Sequence, residues 1–144
     1  MTPFIDANVW LHLANVASPC HAKVKSILQP FLKEKRFAVS WQIFYEFIRV
    51  GTDPRAFESP FRPGQAFDFM KRLFQHPHVV LLQEGPSHSE ALQFSMEKSG
   101  FQRGQFIHDC HIAALLHENG IKTIITADQD FRRFPFLEIL DPTS

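Results

Sequence analysis

Five carboxylates stand in four short segments of this chain. Asp6 lies in Phe4-Ile5-Asp6-Ala7-Asn8, Glu46 in Tyr45-Glu46-Phe47, and Asp109 in His108-Asp109-Cys110; Asp128 and Asp130 lie in Thr126-Ala127-Asp128-Gln129-Asp130-Phe131. Asp6 and the Asp128/Asp130 pair directly follow apolar runs of strand type. In an open α/β sheet such positions face one crevice outside the carboxyl edge of the strands. Carboxylates gathered there without counter-charge repel by about 3 kcal/mol per pair, at roughly 5 Å and an effective dielectric near 20. A set of this kind is expected to hold a hard cation, Mg²⁺ or Mn²⁺. The chemistry that follows is metal-dependent and acts on phosphates.

Each acid also has a plainer reading. Asp6 suits a helix N-cap, although Asn8 or Ser40 can cap without a charge. Glu46 sits among Trp41, Ile43, Phe44, Tyr45, Phe47 and Ile48. A helix that apolar is buried over much of its surface, so its acid faces a polar pocket or a partner, or else solvent with Arg49 one turn on. Asp109 enters a helix, where the dipole favours an acid in the first turn. Asp128 and Asp130 fit an Asp-rich turn, yet with Thr126 they also offer oxygen ligands and a hydroxyl at a strand end. Arg132 and Arg133 follow directly, either as phosphate contacts or as a solvated basic pair. Zinc is disfavoured: His108 and Cys110 point to different faces of one helix, and His117-Glu118 lacks the spacing of a zinc protease. The 16 Phe are expected mainly in the core.

The elements that position these acids read as alternating strands and helices. Residues 2–5 form a strand, 8–15 a helical turn, and Pro19 opens a helix running to about residue 35. Val24, Ile27, Leu28, Phe31 and Leu32 share one face of that helix. Residues 37–39 are a strand, and Ser40 caps a helix through Ile48. A loop with Pro54, Pro60 and Pro63 covers residues 51–64. Helix resumes over 65–74 with Phe67, Met70, Leu73 and Phe74 inward. Residues 79–82 are strand and 87–98 helix; a helix over 106–118 is stopped by Gly120. Residues 122–126 and 136–140 supply two more strands. The alternation predicts an α/β domain with a mainly parallel sheet and helices on both faces.

With 144 residues the chain is expected to be one domain with a sizeable core. Met1-Thr2-Pro3 does not open a basic-then-apolar leader and no apolar run could span a bilayer, so the chain is expected in the cytosol. Cys20 and Cys110 read as reduced thiols. Lys and Arg number 15, as do Asp and Glu. With the five site acids set aside, ten acids face 15 bases, and the surround carries a formal +5 that attracts phosphate.

Taken in order, these segments resemble the PIN domain, a metal-dependent nuclease fold, and more closely the VapC-type toxins of bacterial toxin–antitoxin modules. The resemblance spans nearly the whole chain. It includes Val39-Ser40-Trp41 leading to Glu46, Thr52-Asp53-Pro54-Arg55, His108-Asp109 with Ile112-Ala113-Ala114-Leu115, Ile125 through Phe134, and Leu140-Asp141-Pro142. Gly104-Gln105 departs from the Gly-Asn of close relatives. The resemblance implies a three-layer α/β/α sandwich, Mg²⁺ or Mn²⁺, a homodimer, and a small antitoxin protein that blocks the groove. Asp6, Glu46, Asp109 and Asp128 match the family's acidic quartet; Asp130 matches a frequent fifth acid, and Asn8 and Thr126 match supporting positions. Phe57 and Phe61 in the Pro-rich loop are then candidates to meet the second copy or the antitoxin. The expected activity is cleavage of RNA by water, with the metal held by Asp6 and Asp109 together with Asp128 or Asp130, and Glu46 orienting the water or acting as base. Two other readings stand beside it. One is an inactive PIN-fold module that binds RNA or protein. The other, an aspartyl phosphotransferase, needs a second acid where Asn8 stands.

Overall fold

A computed structural model describes residues 1–144. The elements follow as β1 (Phe4–Ile5), α1 (Ala7–Ala14), α2 (His21–Lys33), β2 (Phe37–Val39), α3 (Trp41–Gly51), α4 (Pro63–Phe74), β3 (Val79–Leu81), α5 (His88–Ser99), α6 (Ile107–Glu118), β4 (Thr123–Ile125) and β5 (Glu138–Leu140). Short 3₁₀ turns cover Gly104–Phe106 and Gln129–Arg133. All neighbouring strands pair in parallel, in the order β3-β2-β1-β4-β5. Helices α1 to α4 pack among themselves, and α5 packs on α6. The three layers expected from the alternation are present. No helix is long and apolar enough to cross a membrane.

Covering both faces explains the strand sequences. β1, β2 and β4 are buried at every residue and carry continuous apolar or β-branched runs rather than an alternation. α6 is buried from Ile112 through Leu116 because it lies between the sheet and α5. Ser95 and Ser99 of α5 are buried against it, and the Ser95 hydroxyl donates to the Cys110 carbonyl at 2.8 Å. Gly120 ends α6 with φ at 71°, the left-handed conformation that stops a helix without a Cβ clash.

Strand order is the feature that makes the site. The chain steps outward from β1 to β2 to β3, then returns to lay β4 against the other side of β1. Phe4 and Ile5 pair with Ile124 and Ile125, so the residues after β1 and after β4 emerge side by side. This reversal is the crevice where open α/β sheets bind ligands.

Several expectations need correction. α2 begins at His21 and ends at Lys33, not at Pro19 and residue 35. Ser40 occupies the N-cap position of α3, but its hydroxyl makes no capping bond and is buried without a partner. α3 is buried on one side only, through Ile43, Phe44 and Phe47; Trp41, Tyr45, Glu46 and Arg49 are exposed. Phe67 is half-exposed rather than inward, its ring meeting only the edge of Phe44. Phe57 and Phe61 turn toward their own core, Phe61 stacking on Phe47 at 6.1 Å. Gly51 admits that ring, since a Cβ there would lie 3.1 Å from it.

Candidate active site

Asp6 follows β1 and serves as N-cap of α1, its carboxylate accepting from the Ala7 amide at 2.8 Å. Asp6 is thus a helix cap that also lines the cleft. Its second oxygen accepts from the Thr126 hydroxyl at 2.8 Å and from the Asn8 side-chain amide at 3.2 Å. Asn8 does not cap α1. It ties the two strand ends, donating to the Thr126 hydroxyl oxygen and accepting from the Ala127 amide at 3.0 Å. The same hydroxyl oxygen accepts from the Asp128 amide, and Asp128 in turn accepts from the Asp130 amide at 2.9 Å. The Asp-rich turn thus forms by the local bonding that aspartate favours, and it is held against Asp6 by one threonine.

Thr126→Val keeps the shape and removes this junction. It should leave the Asp128 amide without its partner and lower stability by about 1–3 kcal/mol. Thr126→Ser should restore most of the loss. Equal melting temperatures for the valine variant and the parent would refute the junction.

Asp109, in the first turn of α6, completes the arrangement from the other helical layer. One carboxylate oxygen each from Asp109, Asp128 and Asp130 lie within 4.8 Å of one another. Asp6 lines the same cleft outside this trio, its carboxylate held by the Ala7, Asn8 and Thr126 hydrogen bonds. Glu46 does not join the trio. It lies on the α3 wall of the cleft and accepts two bonds from Arg49, at 2.6 and 3.1 Å. The solvent-facing reading of Glu46 thus describes this conformation. Arg133 is tethered elsewhere, donating to the Ser99 and Gly100 carbonyls with its guanidinium 3.8 Å over the Phe106 ring. Arg132 is exposed and donates to Gln129.

The electrostatics follow from this crowding. Burial pushes the Asp6 carboxyl up to about 6, against the lowering effect of the Thr126 and Ala7 bonds, and the charges of Asp128 and Glu46 add to the rise. Burial, then the charges of Asp128, Asp6, Asp130 and Glu46, push Asp109 up to about 7. No lysine lines the cleft, and its one arginine is paired with Glu46.

These residues fit a hard divalent cation. The trio is all carboxylate, with no thiolate or imidazole among the converging atoms. Oxygens on opposite sides of Mg²⁺ stand roughly 4 Å apart, a spacing the trio accommodates. The surrounding cleft, of about 950 Å³, is lined by all five acids together with Asn8, Gln42, Tyr45 and His108. Sequence reasoning left Gln42 and Tyr45 out of the site. The available signal was spacing: Gln42 lies four residues before Glu46, on the same face of one helix.

Comparison with known proteins agrees with this geometry. The PIN domain family model matches residues 4–137. The chain is 30% identical over 145 residues to ribonuclease VapC48 of Mycobacterium tuberculosis, covering 100% of this chain and 99% of that one. Two solved structures share the fold. One is VapBC2 from Rickettsia felis bound to a DNA fragment from its promoter (TM-score 0.66, 16% identity, 97% and 98% of the two chains). The other is Mycobacterium tuberculosis VapC20, a sarcin-ricin loop cleaving toxin (TM-score 0.66, 15% identity, 91% and 93%).

Proposed function

The chain belongs to the PIN domain family, and on that premise we propose that it is a Mg²⁺- or Mn²⁺-dependent endoribonuclease, the toxin of a toxin–antitoxin pair. The observation that carries the reading is the convergence of Asp109, Asp128 and Asp130 beside a hydrogen-bonded Asp6, at the strand-order reversal. The name of the 30% identical relative supports RNA as the substrate.

Asp109, Asp128 and Asp130 would hold the metal, with Asp6 as the buried carboxylate of the same cleft. When bound, such an ion would lower the pKa of water and compensate charge developing on the phosphate. Thr126 and Asn8 keep Asp6 and the Asp128 turn in register, so that little reorganisation accompanies the reaction. Glu46 accepts the proton of the attacking water once Arg49 releases it, and Arg49 is then available to a phosphate oxygen. Arg132 is the second candidate for phosphate contact. The partners are a small antitoxin protein and a second copy of the chain, and the setting is the cytoplasm.

Purified protein incubated with total RNA tests the reading. Discrete cleavage that stops with EDTA and returns with Mg²⁺ or Mn²⁺ is expected. Cleavage that survives chelation would overturn the metal role, and RNA binding without cleavage in any metal would favour the inactive binding module.

A further inference from the structure

At the first turn of α3 two large aromatic side chains are left in solvent: Trp41 is 49% exposed and Tyr45 73%. They form the walls of a second pocket of about 380 Å³, with Leu82 as its apolar base and Gln42, Gln83 and Glu84 as its polar rim. One side of Trp41 packs on Phe44 and Phe74, with ring centroids 5.3 and 5.0 Å away, and about half of the residue stays exposed. The pocket does not stand alone. Gln42 and Tyr45 also line the acidic cleft, so the two spaces adjoin. Trp41 and Glu46 are five residues apart, about 7.5 Å along the helix axis.

We propose that this pocket binds an unpaired nucleobase of the RNA whose backbone lies in the acidic cleft; the proposal rests on the ribonuclease reading above. Every base has a π-face, and stacking on exposed aromatic side chains is the general means of gripping single-stranded RNA. The Gln42 amide nitrogen lies within hydrogen-bond reach of the His111 ring, which fixes the rim side chain nearest the cleft. Glu84, as a carboxylate, only accepts hydrogen bonds. It therefore accepts from a donor on the base edge, an amino group of adenine, cytosine or guanine or the ring N–H of uracil or guanine. A site of this kind places one base of the substrate relative to the scissile phosphate, and so contributes to the choice of cleavage position.

The chain carries its own reporter. Of the two tryptophans, Trp10 is fully buried and only Trp41 meets solvent. Octamers of oligo(A), oligo(C) and oligo(U), and an abasic ribose-phosphate octamer, are titrated onto the full chain in Ca²⁺ to slow turnover. Tryptophan emission and acrylamide quenching are read, with affinity followed separately by a labelled strand. The base-bearing strands should change Trp41 emission and shield it from acrylamide; the abasic strand should do neither. Trp41→Ala should weaken oligo(A) binding by about tenfold or more, in line with the stacking contribution of one base. Tyr45→Ala, which retains the reporter, should weaken it similarly, and Trp41→Phe should recover most of the affinity.

If the strands bind with Trp41 unshielded and both alanine variants at parental affinity, the pocket is overturned while the ribonuclease reading stands. If no strand binds in any divalent metal, that reading and the pocket fall together. Shielding of Trp41 that rises with protein concentration alone would show that another copy covers this face, and would also overturn the proposal.

Discussion

Asp109→Asn should lower RNA cleavage by about a hundredfold or more and at the same time make the metal-free protein more stable. The two effects share one cause. Asp109 faces the charges of Asp128, Asp6, Asp130 and Glu46, and burial and that repulsion hold its carboxyl at about 7. The amide is of equal size and removes the charge that a cation needs, a loss in the range seen when a preorganised charge-stabilising group is deleted. No other side chain bonds to Asp109, so no hydrogen bond is broken. The gain in stability should be roughly 2 kcal/mol at pH 8, or about 5 °C for a chain of this size. It should shrink as pH falls toward the unfolded value of 3.8 and vanish below it, where the parental carboxyl is protonated in both the folded and unfolded states. Asp6→Asn should cost activity without that gain, because an amide nitrogen would confront one of the donors from Ala7, Thr126 or Asn8. Parental cleavage by Asp109→Asn, measured with RNA under excess Mg²⁺, would remove Asp109 from the site.

The second large effect is the response to metal and its dependence on pH. Asp6 and Asp109 have folded pKa values raised to about 6 and about 7, from an ordinary 3.8. A group raised in this sense stabilises the fold below its unfolded pKa, and the contribution is lost as pH rises through the folded value. Metal-free protein should therefore lose stability between about pH 4 and pH 8. A divalent cation replaces the lost protons. Millimolar Mg²⁺ or Mn²⁺ at pH 8 should raise the melting temperature by about 5–10 °C, corresponding to roughly 2.7 kcal/mol at a hundredfold excess over Kd. At pH 5 protons compete for the same oxygens, and the shift should shrink to a degree or two. Equal shifts at both pH values in differential scanning fluorimetry would mean that the ion binds elsewhere.

Glu46 and Arg49 are paired on the cleft wall. Both side chains are exposed, so the pair itself contributes little to stability. Its consequence is positional: it holds Glu46 away from the trio and withholds the cleft's one arginine from a ligand. On the proposed reading, a phosphodiester entering the cleft would compete with Glu46 for Arg49, and its binding would free the carboxylate.

Much of the molecule could be read from the chain itself. Apolar runs ending in acids at Ile5-Asp6 and Ile125-Thr126-Ala127-Asp128 identified two strand ends that face a crevice, and the alternation of periods identified an α/β fold. These features are local, since a strand buried on both faces and a helix stop at Gly120 need only neighbouring residues to be recognised. Element ends shifted by a few residues, as at α2, because fraying and capping depend on contacts beyond the helix itself.

Strand order lay outside local reading. Nothing in residues 123–125 states that β4 joins β1 rather than β3, since an apolar β-branched strand suits either edge. That choice rests on packing across the whole sheet, and it alone puts Thr126 beside Asp6, 120 positions apart in the chain. The same long-range packing made Asn8 a tie instead of a cap, turned Arg133 onto Phe106, and left Trp41 and Tyr45 facing solvent on a helix whose composition pointed inward. The sequence by itself determined which groups can do chemistry and on which kind of element each stands. The tertiary structure decided which of them meet, because proximity between distant residues comes from sheet order and helix packing, which no local pattern encodes.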